Sequence, residues 1–209
     1  MDRNKVKFGI SNAYYAIGHM AGDGSATYDT PVQVPGSVNL NIAPEGELTP
    51  FYADNIVYYQ SGGNAGYSAN WEVAKVPDQF WIDVFKSIRD ANGVLIENAD
   101  AEPAMIALLF EMDGDIHKRR HVLYNCTPTR PEANASTHTD TKTPITDTIP
   151  LSCKSVYNPA LDINTPKATV EQGDAAYASW FDAVYQSSGE TEAPSENTED
   201  TTEDTTQEP

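Results

Sequence analysis

The amino-acid sequence predicts a mainly β fold, an antiparallel β-sandwich or barrel with one or two short α-helices, and three observations carry that expectation. Val38, Leu40 and Ile42 alternate with Ser37, Asn39 and Asn41, and Tyr67, Ala69, Trp71 and Val73 alternate with Ser68, Asn70 and Glu72. A period of two with one polar face belongs to half-buried antiparallel strands. Ala104 to Met112 is almost continuously apolar, which predicts a central strand covered on both faces. The turn residues Asp113-Gly114-Asp115 then lead into Arg120 to Thr127 as its hairpin partner.

Taken in order, the chain opens with a strand over Val6 to Ile17 that alternates Val6, Phe8 and Ile10 and becomes apolar on both sides at Tyr14 and Tyr15. Glu45 to Tyr59, EGELTPFYADNIVYY, is dense in apolar and aromatic residues where a connection is expected. Pro50 and Ala53-Asp54-Asn55 interrupt any long strand, and Gly62, Gly63 and Gly66 follow it. It is either a strand and loop folded back on the core or a projecting arm, about 43–66, that packs on a neighbouring subunit. Its contact candidates are Phe51, Tyr52, Ile56, Val57 and Tyr59.

Pro77 suits a first helical turn, and Phe80, Trp81, Val84, Phe85 and Ile88 form a stripe at helical spacing up to Asn92-Gly93. This predicts a helix over about 77–91 packed on the sheet. Thr129 to Thr148 is polar and reads as a long loop or an exposed hairpin of poorly specified register. Tyr177, Trp180, Phe181 and Val184 after Asp174, a cap residue, predict a terminal helix over about 174–186, which either closes the chain's own core or docks on the next subunit. Gly189 to Pro209 has eight acidic residues, no Lys or Arg, and no Val, Ile, Leu, Met or aromatic residue. Such a segment buries too little to offset its ordering entropy, so residues 1–188 are the expected domain and 189–209 a disordered acidic tail.

Charge narrows the function. Without the eight acids of that tail, the 31 acidic residues fall to 23 against 13 basic ones, a net of −10, and phosphate-gripping proteins need the opposite balance. The basic cluster Lys118, Arg119 and Arg120 reads as a solvated turn, or as a salt-bridge patch between stacked rings of subunits. No stretch approaches the roughly 20 apolar residues that a membrane-spanning helix needs. Cys126 and Cys153 fall in separate strands and are expected as free buried thiols.

Catalytic and metal patterns are missing from the sequence. His19, His117, His121 and His138 lie on different predicted elements, and there is no Cys-x-x-Cys, phosphate loop, dinucleotide fingerprint or nucleophile elbow. Ile116, His117 and Lys118 stand where a calcium loop would need oxygen donors and a glycine. No enzyme activity and no cofactor are expected.

Four strings in order carry a resemblance: KFGISNAYYAI (Lys7 to Ile17), LTPFYADNIVYY (Leu48 to Tyr59), HVLYNCTPTRP (His121 to Pro131) and WFDAVY (Trp180 to Tyr185). Over residues 5 to 186 the chain resembles the major tail protein of long-tailed, non-contractile bacteriophages (siphoviruses) of Gram-positive bacteria; the tail after Ser188 lies outside the likeness. The resemblance implies a β-sandwich of the phage tail-tube type whose copies close into rings, usually of six, stacked into a hollow tube. It also implies a structural virion protein, made in the host bacterial cytoplasm and located in the phage tail. The implied partners are the subunit itself, a tape-measure protein, the tail terminator and distal tail proteins. Genome DNA would pass through the lumen without specific binding, and carboxylates facing the channel would repel phosphate. The alternative, from the abundance of Tyr and Trp, is a β-sandwich carbohydrate-binding or adhesin module.

Overall fold

The structure, a computed structural model, describes residues 8–46, 49–53, 56–61, 64–133, 135, 137 and 144–189. The acidic tail predicted over 189–209 therefore lies outside the described residues except for Gly189. In chain order the elements are β1 (Phe8–Met20), β2 (Ala26–Tyr28), β3 (Val32–Gln33), β4 (Ser37–Glu45), β5 (Thr49–Ala53), β6 (Ile56–Ser61) and β7 (Gly66–Val73). After α1 (Asp78–Asp83) come β8 (Ile88–Arg89), β9 (Leu95–Ile96), β10 (Ile106–Asp113), β11 (Arg120–Pro128), β12 (Asp147–Cys153), β13 (Val156–Asn158), β14 (Ile163–Thr165) and β15 (Lys167–Val170). The protein is mainly β, 46% strand and 4% helix, with antiparallel sheets.

One nine-stranded sheet dominates, in the order β2-β1-β10-β11-β12-β7-β4, with β3 also paired to β1 and β15 to β11. The apolar run expected at its centre is there: β10 is buried from Ile106 to Phe110 and lies between β1 and β11. Its side chains alternate between two cores, as the pleat requires. Ile106, Leu108 and Phe110 join Tyr15, Trp71, Phe80, Phe85, Leu123 and Ile149, whereas Ala107 and Leu109 join Ala16, Val122, Tyr124, Trp180 and Val184. Tyr14 and Tyr15 go to opposite sides for the same reason, which accounts for the doubly apolar stretch of β1.

β1 is bent by two irregularities. Its register against β10 shifts between Phe8 and Ile10 and again between Ser11 and Tyr14, and Gly9 (φ 53°) and Asn12 (φ 49°) occupy the left-handed region at those places. The bend lets the sheet curl until edge strand β4 approaches β1 without a ladder between them, so that Leu40 and Ile42 reach the same core as Ile10 and Ile17.

Both predicted helices are corrected. The first covers only Asp78–Asp83. Phe80, Val84 and Phe85 are buried as the stripe implied, but Lys86 turns left-handed (φ 57°) and reverses the chain, so Ile88 leaves for the β8–β9 hairpin. The segment expected as a helix over 174–186 is a run of turns. Tyr177 N–H donates to Asp174 O, Trp180 N–H to Tyr177 O and Asp182 N–H to Ser179 O, each three residues back. The Tyr177 carbonyl that an α-helix would offer to Phe181 also accepts from Arg120 Nη1 at 2.6 Å. Asp174 caps a turn instead, its carboxylate accepting from Glu171 N–H at 2.9 Å.

The Asp113-Gly114-Asp115 turn links β10 to β11 as expected; Gly114 has φ 78°, and Asp115 O accepts from Lys118 N–H at 3.0 Å. Cys126 and Cys153 are free, buried and directly opposite each other in the β11–β12 register. Burial, with the neighbouring Cys153 thiol, pushes Cys126 well above the ordinary thiol range.

Candidate functional site

The predicted contact segment is an insertion into a hairpin of the large sheet. β4 and β7 are antiparallel neighbours whose register closes at Glu45 opposite Gly66, and the strands β5 and β6 between them are not part of the large sheet. The root is held by three bonds: Ala65 N–H to Glu45 O (2.8 Å), Gly66 N–H to Asn64 Oδ1 (3.0 Å) and Lys154 Nζ to Glu45 Oε2 (2.6 Å).

Beyond the root, β5 and β6 form their own two-stranded sheet and pair with no other strand among the described residues. In register, Phe51 faces Tyr59, Tyr52 faces Val57 and Ala53 faces Ile56, with an irregularity between Phe51 and Tyr52. Pro50 does not interrupt the first strand: it lies within β5, opposite Gln60, and the segment is a pair of short strands. Of the five contact candidates, the structure brings Phe51, Tyr52, Ile56, Val57 and Tyr59 into this one hairpin. It describes the backbone of all five and the side chain of Ile56 alone, which is 61% exposed.

Gly66 makes this root possible. It sits at φ 125°, and a Cβ there would lie 2.2 Å from the Cys153 carbonyl oxygen of the neighbouring strand. Gly66→Ala is expected to cost about 2–3 kcal/mol from backbone strain and clash. A urea titration against the parent protein checks this; an unchanged midpoint would mean that the root relaxes freely.

The hairpin β8–β9 was not legible as a surface. Ile88 pairs with Ile96, and the two are 59% and 49% exposed, with Val94 exposed beside them. Exposed apolar residues in a contiguous patch mark contact surfaces. At the sheet's edge, β4 pairs among the described residues with β7 alone, and Val38 on it is half exposed. Edge strands of this kind accept another strand.

The basic cluster divides: Lys118 is exposed in the turn, as expected of a solvated turn, whereas Arg119 and Arg120 are engaged within the chain. Arg119 pairs with Glu171 through Nε at 2.7 Å, and His117 Nδ1 lies 3.4 Å from the same carboxylate. Arg120 lies over the Tyr177 ring at 3.8 Å and the Phe181 ring at 4.7 Å, with Glu111 Oε2 3.3 Å from its Nε. It binds the terminal turns to the sheet, and the charges of Arg119 and Arg120 are matched within the chain.

Among the described residues no group of three or more His, Cys, Asp or Glu side chains is placed to hold a metal ion, and no helix is long and apolar enough to cross a membrane. His121 is buried, stacked on Phe110 at 5.1 Å with Thr169 Oγ1 3.0 Å from Nδ1, while His19 is exposed beside Asp29.

Three phenols are held above their ordinary range by burial. Desolvation is the main cause at Tyr15, Tyr28 and Tyr124, reinforced at Tyr15 by its 2.7 Å bond to Asp83. These groups stay protonated in the folded state at a pH where the unfolded chain has begun to lose its protons. The stability they contribute is complete below about pH 10 and declines as pH rises past it, by at most about 1.4 kcal/mol per pH unit per phenol. Urea midpoints between pH 8 and pH 11 are expected to be flat and then to fall; a rise above pH 10 would contradict the burial of these rings.

The fold and these surfaces define a class: a mainly antiparallel β protein built on one large sheet, with three small self-paired hairpins among the described residues, each displaying an exposed isoleucine. No protein-family profile matches the chain, and no curated protein is detectably similar to it.

Proposed function

We propose that this protein is a structural subunit that assembles with copies of itself into stacked rings, hexameric by the resemblance, forming the hollow tail tube of a bacteriophage. The observation that carries this reading is the β5–β6 hairpin, which leaves the large sheet at Glu45 and Gly66, pairs only with itself among the described residues and exposes Ile56. It coincides with the string that most resembles the tail-tube family. A segment rich in apolar residues and separate from the main ladder suits a heterologous contact, the type that closes rings. The open edge of β4 and the exposed Ile88–Ile96 pair support the same reading as further places where a neighbour would add contact.

In this reading the partners are the subunit itself, a tape-measure protein inside the tube, and the terminator and distal tail proteins at its ends. The acidic balance of residues 1–188 favours a lumen that DNA traverses without sticking. The internal pairing of Arg119 and Arg120 keeps their charge from opposing this.

Negative-stain electron microscopy of the purified protein, with size-exclusion chromatography across a concentration series, tests the proposal. Rings or tubes are expected. A protein that stays strictly monomeric at every concentration, and when mixed with tube-end proteins that nucleate polymerisation, would overturn it.

A further inference from the structure

We propose that Cys126 and Cys153 are a cross-strand disulfide site: a small disulfide oxidant joins the two thiols while β12 is off β11, and the refolded sheet seals the bond. The backbone places them for it. Thr129 N–H donates to Pro150 O at 2.8 Å, and Lys154 N–H to Asn125 O at 2.9 Å. Antiparallel strands alternate hydrogen-bonded and non-hydrogen-bonded pairs. In the register Cys126↔Cys153, Thr127↔Ser152 and Pro128↔Leu151, those two bonds put the cysteines at a non-hydrogen-bonded position. The Cα atoms of such a pair stand about 4.5 Å apart, with the side chains closer together than at the alternate positions. A disulfide spans Cα separations of about 4.4–6.8 Å. Both side chains lie on the same face of the sheet, in the core that holds Leu123, Ile149 and Leu151.

The folded chain holds the pair out of reach. Both residues are fully buried, and burial with the Cys153 thiol beside it keeps the Cys126 thiol well above its ordinary range, so the thiolate that would react is scarce. Reaction therefore requires opening, and the β11–β12 ladder is the place for it. Its register covers three residue pairs, against seven between β12 and β7, since Arg120 to Leu123 of β11 pair with β15 instead. With β12 detached, one thiolate attacks a sulfur of oxidised glutathione and expels one glutathione thiolate; the second attacks the protein sulfur of that mixed disulfide and expels the other. The two protein thiols lose two protons and two electrons, and one glutathione disulfide becomes two glutathione thiols. The bond adds no atom to the core and ties β1, β10 and β11 to β12, β7 and β4 where three residue pairs join them.

This proposal does not rest on the assembly reading. The test holds the full reduced chain at its urea midpoint, where folded and open chains interchange, with a mixture of oxidised and reduced glutathione or with reduced glutathione alone, and then removes the urea. With the oxidant, the product is expected to lose two hydrogens by mass, to run as a monomer on a denaturing non-reducing gel and to give one linked peptide pair, Cys126 with Cys153. Its urea midpoint is expected about 1 M above that of the reduced product, because the bond restricts the unfolded chain. The same glutathione mixture added to the folded chain without urea is expected to form the bond at least about 100-fold more slowly. Cys126→Ala and Cys153→Ala are each expected to remove the midpoint difference, and peptide mapping of the parent decides the pairing if either variant fails to fold. The proposal is overturned if both thiols stay free, if they end as mixed disulfides with glutathione or as links between chains, if the oxidised chain unfolds at the same or lower urea than the reduced one, or if the folded chain oxidises as fast as the opening one.

Discussion

Replacing Phe51 and Ile56 together by Asp is expected to abolish rings and tubes while moving the monomer's unfolding free energy by less than about 1 kcal/mol. The monomer is expected to tolerate the change because both cores are assembled from β1, β7, β10, β11, β12, the α1 region and the terminal turns. The β5–β6 ladder adds no strand to the large sheet, and Ile56 already meets solvent. An Asp there costs nothing large until a neighbour covers it. Once covered, an unpaired carboxylate loses several kcal/mol of hydration, and a closed ring would repeat that penalty at every seam. Circular dichroism melts and electron micrographs of the same preparation check both halves. Loss of the folded monomer would return the hairpin to the intramolecular core and remove the main support for the assembly reading.

Strands whose environment is set by the sheet itself were legible. The continuous apolar run at β10 could be satisfied only by burial on both faces, and the alternation placed β7 and, in β4, Leu40 and Ile42 on the core; Val38 departs from it, half exposed beside the register shift between Ser37 and Asn39. The Asp-Gly-Asp turn fixed the β10–β11 hairpin for local reasons. Helix length was not legible, because apolar spacing reports which residues face the core and leaves the path between them open. Val84 and Phe85 stay buried after α1 has ended, and a left-handed Lys86 turns Ile88 outward. The terminal turns mislead for a tertiary reason: Arg120, more than fifty positions earlier, competes for the Tyr177 carbonyl. Short strands such as β8, β9 and β14 carry too few residues for any period to register. Nor does a sequence mark which hydroxyls end up unpaired, as Tyr28 and Thr165 do, since that depends on three separated segments meeting.

Trp180→Ala is expected to destabilise the isolated monomer by about 3–5 kcal/mol, a large fraction of the roughly 5–15 kcal/mol that holds a domain together. The sequence left open whether this tryptophan closes its own chain or docks on the next, and its surroundings decide between them. Trp180 is buried in the second core with Val122, Tyr124 and Val184, stacks on Tyr185 at 5.5 Å, and directs Nε1–H to the His121 carbonyl at 3.4 Å. The cavity left by alanine cannot collapse easily, because the neighbouring turns are clamped: Arg120 holds the Tyr177 carbonyl and lies between the Tyr177 and Phe181 rings, and Phe181 stacks on Tyr14 at 4.7 Å. Arg120→Lys should weaken the same clamp, since an ammonium lacks the planar fork that holds a carbonyl and a carboxylate while lying flat on an aromatic face. Urea titrations at two protein concentrations tenfold apart give the deciding readout. A core role requires the same midpoint shift at both concentrations with an unchanged slope, whereas a tryptophan that docks on a neighbour would leave the dilute monomer as stable as the parent and change only the concentrated sample.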